Sequence, residues 1–236
     1  MTTQRKRIVK ILITAGSTIT PIDRVRELIE WSDAHLPEGI SNIFKGKTGT
    51  EIACAFGYER PHEVTLITSN EFPAPFQVRA FRTFDDLAAL MEREITTGAY
   101  DVVIHSAAVS DYRVAGIEVQ HPDGSWVPAA ASGKLSSLAP GMRLTLAPTP
   151  KLLDHIRNPW GFTGKLVQFK LEVGITDEEL VARAKRSLAR SQGDLVVANC
   201  LEWMRERALL VGADDNVEEV KRSDLPRALV EQFSAR

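Results

Sequence analysis

The chain has 236 residues, of which 44% are hydrophobic and 25% are charged, and its net charge at pH 7 is −2. This length and composition are typical of a globular protein with a substantial core, so we expect a single domain over 1–236. The lack of bulk basic charge argues against nucleic-acid or membrane-surface binding, and no apolar run approaches the ~20 residues that span a bilayer.

Apolar segments rich in β-branched residues recur along the chain and are predicted to be strands. They cover residues 7–16, 63–69, 100–109, 165–173, 194–201 and 207–213. Several are apolar almost throughout, which is typical of strands that are buried on both faces of a parallel sheet.

Helical patterns lie between these strands, at residues 50–56, 83–98, 176–193 and 224–233. Thr176 and Glu179 have the spacing of a capping box, and Gly193 is expected to end the helix that they begin. Gly98 is expected to end the helix before it. The alternation of strands and helices predicts a Rossmann-like, three-layer α/β/α fold with a mainly parallel sheet. Residues 112–149 lack a convincing helix and are predicted to form an excursion of hairpin and loop.

Cysteine and histidine usage predicts neither a disulfide framework nor a metal site. Cys54 and Cys200 both lie in apolar segments, and the five histidines show no metal-like spacing. The first residues combine basic charge with a short apolar run, as signal peptides do, but no convincing small-residue cleavage site follows. We therefore expect a cytoplasmic protein.

The candidate binding residues lie where the predicted strands end, since open parallel sheets bind ligands outside the carboxyl ends of their strands. Gly16 follows the first strand and permits close approach of the backbone to a ligand. His105, Ser106 and Ala107 end the third strand, and Asp111 follows them. Small side chains there leave room for a base or a phosphate, or they serve close packing of strand and helix. Asp111 fits a hydrogen-bond acceptor for an amino group, a turn residue or a helix cap.

The stretch "FKGKTG" at 44–49 precedes a helical pattern and contains Gly46 and Lys47. A turn of this kind can offer backbone N–H groups, a helix N-terminus and an ammonium group to a phosphate. It lacks the first glycine of the nucleotide P-loop, because Ser41 stands at that position. A turn with a solvated lysine is the alternative interpretation.

Other nucleotide and hydrolase signatures are missing. The turn after the first strand has Gly16 but no G-x-G-x-x-G, and no tyrosine is followed by lysine at the Tyr-x-x-x-Lys spacing of short-chain dehydrogenases. No G-x-S-x-G elbow occurs. These absences argue against a dinucleotide oxidoreductase and a serine hydrolase.

Ordered motifs resemble the phosphopantothenate–cysteine ligase family over about residues 8–200. They are "ITAGSTITPIDRVR", "ISNIFKGKTG", "SAAVSDY", "GKLSS", "PTPKLL", "FKLE" and "DLVVAN". The forms "SAAVSDY", "KLSS" and "FKLE" are closer to the stand-alone, eukaryotic-type enzyme, and the chain has no room for the fused decarboxylase of the bacterial type. The resemblance implies a ligase of coenzyme A biosynthesis, which joins 4′-phosphopantothenate to cysteine through an acyl-nucleotidylate.

The same resemblance implies the roles of individual residues. Asn42 and Lys134 match the catalytic asparagine and the first lysine of a flexible motif that closes over the intermediate. The nucleotide-binding residues that it implies, together with Gly16, are His105, Ser106, Ala107, Asp111, Pro150, Lys151, Leu152, Leu153 and Phe169. Gly46 and Lys47 are then expected to face the phosphates of the nucleotide or of phosphopantothenate.

ATP, with CTP as a possible alternative, is the nucleotide implied, and Mg²⁺ would arrive with the triphosphate. The bacterial-type enzyme has lysines where this chain has Ser187 and Ser191, and serines there agree with the type that favours ATP. The resemblance also implies a homodimer, with the excursion at 112–149 as the contacting arm. Two features depart from the family pattern, namely the loop after Asn42 and an insertion near 27–39.

Two alternative functions stay open at this level. A divergent relative could join another carboxylate to another amine at the same nucleotide site. A non-catalytic nucleotide- or NAD(P)-binding domain would show weak nucleotide turnover and no amide product.

Overall fold

The computed structural model describes residues 8–22, 27–28, 45–59, 62–129, 135, 138–214 and 216–234. Its strands are β1 Lys10–Ala15, β2 Thr20–Pro21, β3 Glu27–Leu28, β4 Glu63–Thr68, β5 Gln77–Ala80, β6 Val102–His105, β7 Tyr112–Gln120, β8 Trp126–Pro128, β9 Met142–Pro148, β10 Lys165–Glu172, β11 Leu195–Cys200, β12 Arg207–Gly212 and β13 Val217–Lys221. Its helices are α1 Lys47–Glu59, α2 Phe84–Thr97, α3 Leu152–Arg157, α4 Asp177–Ser191 and α5 Leu225–Ser234.

An eight-stranded sheet of order β13-β12-β11-β10-β6-β1-β4-β5 forms the centre of the fold. The six strands from β5 to β11 in this order are parallel. β12 is antiparallel to them, and β13, which is antiparallel to β12, runs in their direction again. From β1 the chain builds outward through β4 and β5, and it then returns to β6 on the other side of β1. The order therefore reverses between β1 and β6, which makes this pair the topological switch point of the sheet.

Helices cover both faces of the sheet, so the predicted three-layer, mainly parallel fold is confirmed. On one face, α1 and α5 pack through Ile52, Phe56 and Leu229 against alternate residues of the central strands. On the other face, α2 and α3 pack against strand residues that include Leu12 and Val103. Helix α4 covers β11 and β12 through its own buried cluster.

The helix ends follow the local sequence closely. Thr83 and Thr176 are the N-caps of α2 and α4, and both make complete capping boxes, with Asp86 and Glu179 respectively. Helix α2 ends at Gly98 as predicted. The predicted stop of α4 at Gly193 is wrong by one residue. The C-cap is Gln192, which adopts the left-handed conformation.

A three-stranded antiparallel sheet of order β8-β7-β9 leaves the central sheet and will be called the arm. It occupies the predicted excursion at 112–149. Ile117 of β7 packs with Ile22 and Leu135 in a small apolar cluster at its base. Of the insertion near 27–39, the described part is β3, which pairs with β2.

Besides the two-residue strands β2 and β3, three short elements escaped the sequence prediction. β5 is a four-residue edge strand, β13 reads "VEEVK", and α3 has six residues. Each of them is too short to show a period of two or 3.6. Within the described ranges, no helix is long and apolar enough to cross a membrane.

Candidate nucleotide and phosphate site

Two glycine turns meet at the carboxyl end of β1, directly beside the switch point. Gly16 has φ +93° and Gly46 has φ +70°. A Cβ atom on Gly46 would lie 2.2 Å from the backbone nitrogen of Gly16, and one on Gly16 would lie 2.0 Å from Oγ of Ser69. The predicted phosphate turn therefore rests on the turn after the first strand, and both positions exclude larger residues.

The first turn of α1 presents backbone donors at this edge. The amide of Thr50 donates to the carbonyl of Gly46 at 3.0 Å, so the N–H groups of Lys47, Thr48 and Gly49 have no acceptor within the helix. The first turns of α2 and α4 contain acidic residues, whereas that of α1 contains none. The positive end of the α1 dipole is thus left for an anion from outside the helix.

Ser106 joins this turn from the adjacent strand end. Its hydroxyl donates to the carbonyl of Thr14 at 2.6 Å, and a Cβ atom on Gly49 would lie 2.3 Å from that hydroxyl oxygen. Phe169 is one residue beyond the pair Gln168–His105 in the sheet register, and it packs in the core on the α1 side. Gly16, Gly46, Ser106 and Phe169 therefore gather on one side of the switch point.

His105 lies beneath the site and faces the opposite side of the sheet. Its Nδ1 is 2.8 Å from Oγ1 of Thr14, and that oxygen also accepts the N–H of Ala107 at 3.2 Å. Donation of the Thr14 hydroxyl proton to Nδ1 satisfies both groups and leaves the ring proton on Nε2. Burial lowers the pKa of His105 to about 4, so the ring is neutral at physiological pH.

We expect this burial to make stability depend on pH. The unfolded chain protonates His105 near its ordinary pKa of 6.5, while the folded chain does so near 4. The contribution to stability is complete above about pH 6.5 and is lost as the pH falls towards 4, by about 2 kcal/mol between pH 7.5 and pH 5. Urea denaturation of the wild type and of His105→Gln at both pH values measures it. Equal losses in the two proteins would show that His105 does not titrate in this way.

The second group of predicted residues lies on the α2–α3 side of the sheet, where the chain enters α3. Lys151 donates to Asp111 at 2.5 Å, and the amide of Thr149 donates to the carbonyl of Asp111 at 2.9 Å. Ala107, Leu152 and Leu153 all contact the core cluster beneath α2 and α3. The structure thus brings Asp111 and 150–153 together, and Ser106 and Ala107 connect them to the glycine turns.

Lys170 and Glu172 extend β10 beyond the end of β6. Glu172 accepts from Lys170 at 2.8 Å and from Arg183 of α4 at 2.5 Å. Burial raises the pKa of Glu172, but the hydrogen bonds and charges of Lys170 and Arg183 outweigh it and hold that pKa below the usual range. This ion-pair group borders the site and was not among the predicted site residues, because nothing in the sequence pairs β10 with Arg183.

The two predicted catalytic residues, Asn42 and Lys134, lie outside the described residues. The described residue nearest to Asn42 in sequence is Lys45, whose carbonyl accepts from Asn70 at 2.5 Å. Asn70 follows β4, so Lys45 lies at the same carboxyl edge as the glycine turns.

A cavity of about 380 Å³ lies at the opposite edge of the sheet, away from all predicted site residues. Its lining includes Asp101, Lys165, Asp194 and Asp214. Asp194 already binds Arg157 at 2.9 Å and Lys165 at 2.6 Å, so its charge is balanced within the fold. The cavity therefore lies apart from the candidate site at the carboxyl ends of the strands.

A family model described as "DNA/pantothenate metabolism flavoprotein C-terminal domain" matches residues 7–231. The chain belongs to this family. The match includes both groups of residues at the switch point and extends beyond the last ligase-like motif, "DLVVAN".

Curated relatives agree with this assignment. The coenzyme A biosynthesis bifunctional protein CoaBC of Thermococcus kodakarensis is 34% identical over 212 residues, which are 87% of this chain and 45% of that protein. The phosphopantothenate–cysteine ligase of Mus musculus is 29% identical over 114 residues, 48% of this chain and 32% of that protein. The chain thus spans less than half the length of these relatives.

Solved structures share the fold. The DNA/pantothenate metabolism flavoprotein from Streptococcus pneumoniae superposes with a TM-score of 0.73 at 29% identity, over 97% of this chain and 99% of that one. A Cab2 mutant in complex with phosphopantothenate-cysteine superposes with a TM-score of 0.64 at 17% identity, over 97% of this chain and 87% of that one. At this identity the second likeness concerns the fold alone.

Proposed function

We propose that this chain joins 4′-phosphopantothenate to cysteine in coenzyme A biosynthesis, as a nucleotide-dependent ligase. The observation that carries the proposal is the meeting of Gly46 with Gly16 at the switch point, in a chain that belongs to this family. The N-terminus of α1 lies at this carboxyl edge of the sheet, and this supports the proposal because open parallel sheets bind their ligands there.

The reaction has two steps that use this geometry. The carboxylate of 4′-phosphopantothenate attacks the α-phosphorus of the nucleotide, and the bond to pyrophosphate breaks. The amine of cysteine then attacks the acyl carbon and loses a proton, and the nucleoside monophosphate leaves with the bonding electrons. Negative charge on phosphate oxygens must be neutralised in both steps, and the N–H groups at Lys47 to Gly49 with the Lys47 ammonium supply preorganised positive charge.

ATP is the nucleotide that the proposal favours. Ser187 donates to Oε1 of Gln168 at 3.2 Å, and Ser191 donates to the carbonyl of Ser187 at 2.9 Å. Their hydroxyls are thus used inside the interface of α4 with β10, where the lysines of the bacterial type would bring positive charge. The oxygens of the triphosphate would carry Mg²⁺ into the site. The cytoplasmic location stays a prediction.

The adenosine would lie between the two groups of site residues. Ser106 and Ala107 follow β6 with small side chains, and the Asp111–Lys151 pair lies beyond them at the start of α3. Asp111 is 63% exposed at its side chain, so its second carboxylate oxygen can accept a hydrogen bond from a sugar or a base.

The arm supports the proposed homodimer. Leu144 and Leu146 of β9 share one face, and the register pairs Val114 of β7 with Leu146 and Ile117 with Leu144. The register shifts between Val114 and Gly116, and this irregularity brings Val114 and Ile117 to the same face although they are three residues apart. Leu146 and Met142 of this face are each 40% exposed. A second copy of the chain would cover them, because an arm of the same kind presents an equally apolar face.

We expect Leu146→Glu to convert the dimer to a monomer, since it places a charge in the proposed contact. Light scattering after size exclusion would give 26.1 kDa rather than twice that mass. Thr145→Glu is the matched control, because Thr145 is exposed on the opposite face of the same strand. A dimer that survives Leu146→Glu would place the contact elsewhere.

The experiment that tests the function is pyrophosphate release with phosphopantothenate and cysteine, run in parallel with ATP and with CTP. Release that needs both substrates, with phosphopantothenoylcysteine identified by mass, supports the ligase and names its nucleotide. Turnover that needs a different acid supports a divergent ligase. Slow nucleotide hydrolysis without an amide product contradicts the proposal.

A further inference from the structure

Arg222 connects the C-terminal part of the chain to the first turn of α1. It lies between β13 and α5, and its Nη2 donates to Oγ1 of Thr48 at 2.8 Å and to Oε2 of Glu51 at 2.9 Å. The side chain is 19% exposed, and the Arg222 amide donates to the carbonyl of Glu206 at 2.8 Å. A charged side chain that is held at both its backbone and its head fixes the elements that it joins.

Glu51 lies between two cations at this turn. Its Oε2 binds Arg222, and its Oε1 is 3.8 Å from Nζ of Lys47. The Lys47 side chain is 84% exposed, so its contact with Glu51 is loose. The close partner of the Glu51 carboxylate is Arg222, which leaves the ammonium of Lys47 directed to solvent at the helix N-terminus.

A free carboxylate at Glu51 would work against anion binding in two ways. It would attract the Lys47 ammonium along the helix, since residues four apart face each other. It would also place uncompensated negative charge within two turns of the N–H groups that face the switch point.

We propose that Arg222 is a positioning residue for the phosphate turn. It neutralises Glu51 and anchors Thr48, and it thereby keeps Lys47 and the first N–H groups of α1 available to the phosphates of the nucleotide. This inference rests on the proposed function, and it assigns a role to a segment that follows every motif of the family resemblance.

The test compares Arg222→Gln, Glu51→Gln and the double variant with the wild-type chain. Calorimetry gives the Kd for ATP and for inorganic tripolyphosphate, and steady-state assays give KM and kcat. Arg222→Gln is expected to raise both Kd values about tenfold, because it removes the guanidinium and leaves the negative charge of Glu51 unpaired near the ligand. Glu51→Gln alone is expected to change them less than about threefold, because Arg222 already neutralises this carboxylate. The double variant is expected to return most of the lost affinity.

Arg207→Gln is the matched control. Arg207 is also a half-buried arginine with two carboxylate partners, Asp177 and Glu219, but it contacts neither α1 nor the glycine turns. Its loss is expected to lower stability without changing either Kd. Arg222→Lys retains the charge and is expected to bind ATP better than Arg222→Gln. If the glutamine variant unfolds, the lysine variant is compared with the wild type instead.

The outcomes separate the two proposals. Wild-type affinity in Arg222→Gln, or no recovery in the double variant, overturns the role of Arg222 even where the wild type makes product. Loss and recovery of tripolyphosphate affinity without any amide product would support Arg222 and contradict the ligase. A wild-type chain that binds neither ATP nor tripolyphosphate overturns both.

Discussion

Gly46→Ala is expected to remove ligase activity and to lower the free energy of unfolding by roughly 2–5 kcal/mol. Two costs add at this position. Alanine at φ +70° is strained by about 1–2 kcal/mol, and its Cβ would lie 2.2 Å from the Gly16 nitrogen. Backbone cannot yield as a flexible side chain does, so the turn must move off β1 and carry Lys47 with it, at a further cost of about 1–3 kcal/mol. Urea denaturation and the ATP-dependent pyrophosphate assay measure the two effects.

Gly161→Ala separates these costs. Gly161 has φ +71°, almost the same as Gly46, but a Cβ atom there would meet nothing within 4 Å. The Gly161→Ala variant is therefore expected to lose only about 1–2 kcal/mol of unfolding free energy, from backbone strain, and to keep its activity. Equal stability and activity of the two variants would mean that the phosphate turn does not rest on Gly16.

The sequence predicted the parts of this site that local patterns encode. The apolar strands, their small-residue ends and the turn before α1 each depend on neighbours in sequence, so Gly16, Ser106 and Gly46 could be chosen as candidates one by one. Parallel strands bring their carboxyl ends to one edge, which predicted that these residues share a side of the sheet. The contact of Gly46 with Gly16 was not predictable, because it depends on the position at which α1 packs along β1.

Ion pairs and hydrogen bonds between different elements could not be predicted either, because they also depend on how those elements pack. Arg222 and Thr48 are 174 positions apart, and Glu172 at the end of β10 meets Arg183 on the helix α4 that follows it. From the sequence alone, an arginine or a glutamate is interpreted as a solvent-exposed charge unless its partner is known. The strand "VEEVK" of β13 looks polar and was missed, yet its pairing with β12 is what sets Arg222 beside α1.

Asn42→Asp and Lys134→Ala are expected to lower product formation by about 10²–10³ each. An aspartate at position 42 would place negative charge beside the acyl-phosphate in the role that the family resemblance implies. Loss of the Lys134 ammonium would leave phosphate charge uncompensated as the intermediate forms. Asn216→Asp and Lys221→Ala make the same chemical changes at exposed positions of the β12–β13 turn and of β13, and they are expected to retain full activity. Wild-type rates in both site variants would show that the residue assignment is wrong even though the family is right.

The ratio of pyrophosphate to amide distinguishes the role of Lys134 from simple charge loss. If Lys134 closes over the acyl-nucleotidylate, it also keeps water from the mixed anhydride. The wild type is then expected to release one pyrophosphate for each amide formed, whereas Lys134→Ala hydrolyses part of its intermediate and releases several. Asn42→Asp slows formation of the intermediate and is expected to keep the ratio near one. A ratio of one in both variants would confine Lys134 to charge neutralisation and assign the exclusion of water to other residues.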